Sequence, residues 1–193
     1  MDKKAKGRFR EFSKLCKEFL QCEANKLEIP NETRVSGTYK MYLSVLRSKR
    51  IIILYLTNSK DQQKLQDVVL SNNEWQFIAE CEAVLRTADV LAMNSQKDDV
   101  TSNIFSYFYV AKTRAIIKRI KELRVFDLDK SWSPKTKVEE IEKVQIKKED
   151  LMEETKLLID RLGTEFDRYF PRPDSDQLLM MMFHPIMVRL GFP

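Results

Sequence analysis

The side chains that most often perform enzymatic chemistry are few in this sequence. Its single histidine, His184, precedes Pro185, a position typical of a helix end rather than of catalysis or metal binding. The cysteines, Cys16, Cys22 and Cys81, form no Cys-x-x-Cys pair, match no zinc spacing and lie at helical positions beside apolar residues. Their odd number also argues against a disulfide framework. We therefore expect buried structural thiols, a reducing compartment and no metal site.

The remaining motifs indicate neither nucleotide chemistry nor a carboxylate metal site. The chain has 4 glycines and lacks glycine-rich phosphate-binding signatures, the G-x-S-x-G nucleophile motif and the H-E-x-x-H zinc motif. The acidic pairs Asp98-Asp99 and Glu139-Glu140 are adjacent, so their side chains diverge on a helix, which favours solvated surface over metal binding. We expect no cofactor and no enzymatic activity of the chain alone.

Basic residues are the remaining candidates for chemistry, because they can bind polyanions. The chain has a formal net charge of +5 at pH 7, and its apolar spacing from Ile104 to Leu123 predicts a long helix with a basic exposed face. The basic residues on that face are Lys112, Arg114, Lys118, Arg119, Lys121 and Arg124. Two other interpretations stay open: cations stabilised by the helix dipole near its C-terminus, and an ordinary solvated surface of mixed charge.

Composition predicts a mainly α-helical class. The sequence is 43% hydrophobic, enough for a real core, and only 4 glycines and 6 prolines disfavour a turn-rich β-sandwich. The N-terminus is charged, and the longest apolar run, Ile51–Leu56, is far shorter than the roughly 20 residues of a membrane span. We therefore expect an intracellular protein that has neither a secretion signal nor a membrane helix.

Apolar residues at helical spacing locate the elements that must position these side chains. The predicted helices cover residues 8–25, 36–58, 72–93, 104–124, 151–169 and 175–182. The run Ile51–Leu56 could also be a buried strand, but no turn signal precedes it, which favours helix. Ser71 and Glu74 before Trp75 fit a capping box, in which two side chains bind the unpaired amides of the first turn. This is the clearest helix start.

Proline and charge divide the chain into segments of one predicted domain. The single domain covers residues 1–193 and comprises an N-terminal helix with an extended linker at 1–33, a helical core at 34–130, a charged linker at 131–150 and C-terminal helices at 151–193. Pro30 pushes the residue before it away from helical angles. Ten of the sixteen residues between Lys135 and Asp150 are charged, which predicts a long connection.

Two segments resemble the hAT superfamily of transposases. Residues 33–39, Thr-Arg-Val-Ser-Gly-Thr-Tyr, are similar to the family's Thr-Arg-Trp-x-Ser-Thr-Tyr segment, which is also followed by an aliphatic helix. Residues 70–75, Leu-Ser-Asn-Asn-Glu-Trp, are similar to its Leu-x-x-x-Glu-Trp helix opening. Val35 stands where the family has the tryptophan that is thought to stack on a flipped base, so this chain lacks that aromatic face.

The C-terminal part carries the same resemblance in the same order. Residues 157–170 resemble the family's Leu-x-x-Arg-Phe-x-x-Tyr-Phe helix end. Residues 178–192 resemble its Leu-Asp-Pro-Arg-Phe segment, where Pro185 is kept, His184 replaces the aspartate and Ile186 replaces the arginine. In aggregate the resemblance covers most of the chain.

The resemblance implies an RNase-H-like domain that is interrupted by a large all-α insertion. In the family, three carboxylates bind two divalent metals, which stabilise the attacking and leaving oxygens of strand cleavage. Two of them precede the Thr-Arg-Trp segment and the third follows the Asp-Pro-Arg segment, so none of the three is expected in this chain. The expected fold is a mainly α helical bundle that resembles the insertion, with flanking RNase-H-like remnants.

The implied function is that of a catalytically incomplete, transposon-derived protein, in the nucleus rather than the cytoplasm. It would bind DNA weakly and without sequence preference, or act in assembly, without strand transfer. The candidate phosphate contacts are Arg34, Lys112, Lys118, Arg119 and Arg124. Arg34 could equally form a salt bridge within the helical bundle.

The alternative is a helical protein-interaction module with no role in nucleic-acid binding. Its apolar helix faces would hold a second copy or a partner protein. A candidate patch for such a partner, otherwise simply core, consists of Met180, Met181, Met182 and Phe183. An active nuclease is a third hypothesis, and it would need a carboxylate cluster that the sequence does not show.

Overall fold

The computed structural model describes residues 3–21, 35–58, 68–95, 109–130, 137 and 140–170. The α-helices of this part are α1 (Lys3–Leu20), α2 (Val35–Arg47), α3 (Lys49–Asn58), α4 (Asn72–Ser95), α5 (Ala111–Lys118) and α6 (Glu153–Tyr169). The strands are β1 (Glu122–Phe126) and β2 (Lys143–Lys147), with a short 3-10 turn at Lys148–Asp150 before α6. The predicted mainly α-helical class is confirmed.

Helix α1 packs on α3 through its apolar face. Cys16 on that face is fully buried, and the Phe12 ring meets the Tyr55 ring edge-on with their centroids 6.3 Å apart. The helix ends at Leu20, earlier than predicted, and Gln21 follows in the left-handed region with a φ of 50°. One residue of this conformation commonly closes a helix. Cys22 lies outside the described residues.

The predicted helix over residues 36–58 is two helices that meet at Ser48. The amide of Ser48 donates both to Ser44 O at 3.2 Å and to Val45 O at 3.1 Å, the tight hydrogen-bonding pattern of a helix end. Leu46 and Ile51, which would lie about 140° apart on a straight helix, are both buried across this break. The run Ile51–Leu56 is helical, as predicted.

Helix α4 is the central element, in contact with α2, α5, α6 and β1. Its start is the predicted capping box: Ser71 N donates to Glu74 Oε2 at 2.7 Å, and Glu74 N donates to Ser71 Oγ at 3.3 Å. The amide and the hydroxyl of Ser71 both donate to the Glu74 carboxylate, and these two hydrogen bonds hold its pKa below the usual value. Cys81 is buried, as its position predicts, and burial raises the pKa of its thiol to about 11.

The predicted helix over residues 104–124 is wrong in its last part, because α5 ends at Lys118 and residues 122–126 form β1. In β1 the side chains alternate: Leu123 and Val125 are buried, whereas Glu122 and Arg124 are exposed. The antiparallel partner β2 lies inside the predicted charged linker 131–150, so that prediction is wrong for residues 143–147, which form a strand. Leu123 pairs with Ile146 there.

Helix α6 matches the predicted helix 151–169, and it closes the core. Leu151 and Ile159 are buried with Leu46, Trp75 and Val125 in the main cluster. The start of α6 is tied to α4, because Met152 N donates to Oε2 of the buried Glu80 at 3.2 Å. A carboxylate at this end of a helix is also favoured by the helix dipole. The predicted helix 175–182 lies outside the described residues.

Candidate nucleic-acid interface

Two of the cations on α5 are engaged by one carboxylate of α6. Arg114 Nε lies 2.9 Å from Asp167 Oδ1, and Lys118 Nζ lies 2.5 Å from Asp167 Oδ2. Arg114 also donates to the carbonyl oxygen of Phe170, and its guanidinium carbon lies 5.9 Å from the Phe166 ring centroid. The hydrogen bond from Lys118 is the largest of the effects that lower the pKa of Asp167. Lys118, a predicted phosphate contact, therefore also fastens α5 to α6.

Two other cations of this segment make no ion pair with the described residues of α6. Lys112 and Arg119 are exposed, and within the described ranges no carboxylate lies within 4 Å of either charged group. At 100° per residue, Lys112 and Arg119 lie roughly on one face and about 10 Å apart along the axis, whereas Arg114 and Lys118 lie about 100–160° around the axis from them. Ile116, which is 43% exposed, lies between them on the outer face.

Two further exposed cations follow α5 in the chain, and they lie in a turn and on the sheet rather than on a helix. Arg124, predicted on the helical face, is an exposed residue of β1 opposite Gln145 of β2. Its backbone oxygen accepts a hydrogen bond from Arg86 Nη2 at 3.5 Å. Lys121, in the turn between α5 and β1, is also exposed, and neither side chain has a carboxylate partner in the part of the chain that the structure describes.

We call these four residues, Lys112, Arg119, Lys121 and Arg124, the basic ridge. The structure places three of the five predicted phosphate contacts on it, together with Lys121, and separates Lys118 from it by the ion pair with Asp167. Arg34 lies outside the described residues. So does the predicted partner patch of Met180, Met181, Met182 and Phe183. Val35 is the first residue of α2.

Sequence reasoning missed a second cationic cluster, which the fold assembles from distant segments. Arg47, Lys49 and Arg50 of α2 and α3 line a cavity of about 320 Å³ together with Lys130, which follows β1. No spacing rule connects Lys130 to the other three, because the turn after β1 brings it to them. The sequence signal that could have found part of the cluster is the short basic run 47–50.

Two carboxylates of α4, those of Glu80 and Glu82, are the most buried acidic side chains among the described residues. Glu80 accepts a hydrogen bond from Gln76 Nε2 at 2.9 Å besides the one from Met152. Glu82, fully buried, accepts from both Nε and Nη2 of Arg86. Each carboxylate is therefore satisfied by donors of the fold itself, as buried charges must be. They hold α4 in place.

Three further observations bear on the class of protein. Among the described residues, no three histidine, cysteine, aspartate or glutamate side chains lie close enough together to hold a metal ion. The same part of the chain contains no helix that is long and apolar enough to cross a membrane. In comparisons with known proteins, the chain matches no family model, no curated protein and no solved structure.

Proposed function

We propose that this chain is a catalytically incomplete protein of the hAT-transposase type that binds DNA through phosphate contacts of the basic ridge, without strand transfer. The observation that supports the proposal is the exposure of Lys112, Arg119, Lys121 and Arg124 without a carboxylate within 4 Å among the described residues. Cations that are already paired lose much of their attraction for a phosphate, whereas unpaired ones keep it.

The chemistry of the ridge favours binding that does not depend on base sequence. Lysine and arginine contacts to phosphate release counterions and position the duplex, but they do not read base edges. The outer face of α5 adds only an aliphatic side chain, Ile116, between its two cations. Val35 stands where the family that this chain resembles has a tryptophan, and a valine offers no ring on which a single base could stack.

Fluorescence anisotropy with a labelled DNA duplex tests the proposal, with and without magnesium. If all four cations contact phosphates, the affinity should fall roughly 150-fold between about 50 and 200 mM salt, and the DNA should stay intact in magnesium. Arg119→Glu should weaken binding, whereas Lys14→Glu should not, because it makes the same charge change on the exposed face of α1. No binding at low salt would reject the proposal, as would equal losses for the two variants.

A self-associating helical module is the second candidate, and exposed apolar residues of α4 favour it. Val90 and Met93, one turn apart, are 55% and 51% exposed on a helix that is otherwise central to the fold. Burial of such a pair against a second copy removes apolar surface from water. Light scattering coupled to size-exclusion chromatography distinguishes the candidates: a stable oligomer without bound nucleic acid, dissociated by Met93→Glu, would favour self-association over the DNA role.

A further inference from the structure

The cavity of about 320 Å³ between α1, α3 and the turn after β1 has an apolar floor that is open to solvent. Leu46, Leu54 and Leu128 form part of its lining. Two further apolar side chains beside them stay exposed: Phe19 at 47% and Ile53 at 43%. Apolar surface of this kind at the mouth of a cavity is stabilised when another apolar group covers it.

The rim of this cavity is cationic. Arg47, Lys49, Arg50 and Lys130 line it, and no carboxylate is among its described lining residues. We call the cavity and this rim the cationic groove. An apolar floor beside several positive charges is complementary to a ligand that carries both apolar groups and carboxylates.

Arg47 is half-buried and has an interaction of its own within the structure, and the other three cations differ in how far they are already engaged. Lys49 Nζ donates to Leu128 O at 2.8 Å and lies 5.8 Å from the Trp75 ring centroid, and its burial lowers its pKa. Lys130 is paired with the exposed Glu142. Arg50 is exposed and, within the described part of the chain, has no carboxylate within 4 Å. Arg50 is therefore the cation best placed to meet an incoming carboxylate.

The carboxylates around the groove do not cancel its charge. Glu142 is paired with Lys130, on which Asp127 also acts through space, and Asp129 acts on Lys49 only through space. Three carboxylates therefore stand near four lining cations, which leaves an excess of positive charge. A second copy of this chain would bring a further net charge of +5, so self-association at this surface is opposed electrostatically. The excess of positive charge therefore favours a negatively charged ligand in the groove.

We infer that the cationic groove binds an acidic, amphipathic peptide segment of a partner protein. One or two apolar side chains of that segment cover Phe19 and Ile53, and flanking carboxylates contact Arg50 and its neighbours. A cavity of about 320 Å³ is at the lower end of ligand sites, which suits a few side chains better than a large cofactor. DNA satisfies the rim with its phosphates but leaves the apolar floor uncovered. This site is independent of the basic ridge.

Anisotropy of a short fluorescein-labelled peptide of glutamate, leucine and phenylalanine, added to the full chain, tests the inference. Two control peptides separate the contributions: one replaces every leucine and phenylalanine by serine and keeps the charge, and the other replaces every glutamate by glutamine. Only the parent peptide should bind saturably. Equal binding of the serine peptide would reduce the effect to general charge attraction and overturn the inference, as would no binding of the parent peptide.

Matched pairs of variants locate the binding. Ile53→Asp should weaken the parent peptide at least about tenfold, whereas Ile116→Asp should not, although both isoleucines are 43% exposed. Arg50→Glu should weaken it about tenfold, whereas Arg119→Glu, with the same charge change on the basic ridge, should leave it unchanged. Circular dichroism checks that each variant folds, and the surface position of Arg50 keeps one test valid if Ile53→Asp fails to fold.

Equal losses within either pair would overturn the inference, because the groove would then have no special part in binding. Competition with unlabelled DNA provides an independent test. The duplex should not displace the peptide from the groove at physiological salt, and displacement in proportion to DNA bound would assign the groove to phosphates instead. Self-association of the free chain that Ile53→Asp abolishes would assign it to a second copy.

Discussion

The two faces of helix α5 use the same residue types in opposite ways. Arg114 and Lys118 meet Asp167 of α6, whereas Lys112 and Arg119 point outward with no carboxylate within 4 Å in the described part of the chain. Burial sets Arg114 apart from the other three cations, because its side chain is only 13% exposed, whereas that of Lys118 is 45% exposed. A cation here is structural or available according to whether its face of the helix meets another helix.

Helix α4 contains an ion pair between Arg86 and the fully buried Glu82. Breaking this pair should have the largest effect on stability of all the proposed substitutions. Arg86→Met removes the only cation that donates to the fully buried Glu82 in the described structure, and leaves that carboxylate uncompensated. We expect a loss of about 3–5 kcal/mol in the free energy of unfolding, measured by urea denaturation. Burial, more than the nearby Glu82, raises the pKa of the Tyr39 hydroxyl to about 12.

The double variant Arg86→Met with Glu82→Leu is the control for that experiment. It removes the buried charge together with its partner and should recover most of the lost stability, since an uncompensated charge costs more than a missing pair. A loss below about 1 kcal/mol for Arg86→Met alone would contradict the structural role of the pair.

The two faces of α5 predict opposite effects for two variants: one should change stability without changing DNA affinity, and the other should change DNA affinity without changing stability. Arg114→Met should lower the free energy of unfolding by about 2 kcal/mol, because the Phe170 carbonyl and Asp167 lose a charged donor, and should leave DNA affinity unchanged. Arg119→Met should do the reverse, with less than about 0.5 kcal/mol of stability lost. Urea denaturation and anisotropy on the same preparations measure both. A DNA effect of Arg114→Met as large as that of Arg119→Met would erase the distinction between the faces.

Much of the fold could be predicted from the sequence, because its signals are local. The capping box at Ser71 and Glu74 needs only residues within one turn, and the hydrogen bonds form as predicted. The buried positions of Cys16 and Cys81 follow from apolar spacing along single helices. Such features do not depend on what the rest of the chain does.

The sheet could not be predicted with the same reasoning, although both strands carry a signal. Glu122–Phe126 and Lys143–Lys147 each alternate polar and apolar residues, but Ile120 and Leu123 also fit helical spacing, and the lysines of β2 are typical of a linker. The alternation decides the structure only once the two segments pair. That pairing is a property of two distant segments, which no window on one of them contains.

The candidate site was predicted in part for the same reason. The basic residues of the ridge can be recognised in the sequence. The ion pair between Lys118 and Asp167 cannot, because it joins residues that are far apart in the chain. The cationic groove likewise needs Lys130 beside Arg50, which only the packed fold provides. Composition predicts which charges exist, and packing decides which of them remain available.

Removal of the Asp167 carboxylate tests whether the paired cations Arg114 and Lys118 can also bind DNA once they are unpaired. Asp167→Asn frees Arg114 and Lys118 and should therefore increase DNA affinity at low salt. If both cations reach phosphates, the slope of log affinity against log salt concentration should steepen by up to about 1.8. Glu165→Gln is the matched control, since it removes the same charge from the same helix without freeing an α5 cation. Identical gains for the two variants would mean that net charge alone governs binding.

The smallest expected effect is the pH dependence that Asp167 itself contributes. Its pKa is held below the ordinary value of 3.8, first by the hydrogen bond from Lys118, so the folded state binds a proton less readily than the unfolded state. Its stabilising contribution is therefore complete above about pH 5 and is lost as the pH falls through the folded pKa. Urea denaturation across this range, for the natural chain and for Asp167→Asn, should show a stability difference that shrinks only at the acidic end. Glu74, whose pKa is also lowered, titrates in both proteins and cancels in that difference. A difference that stays constant to the lowest pH at which both fold would mean that Asp167 is not held by the α5 cations in solution, and the two faces of the helix would then be alike.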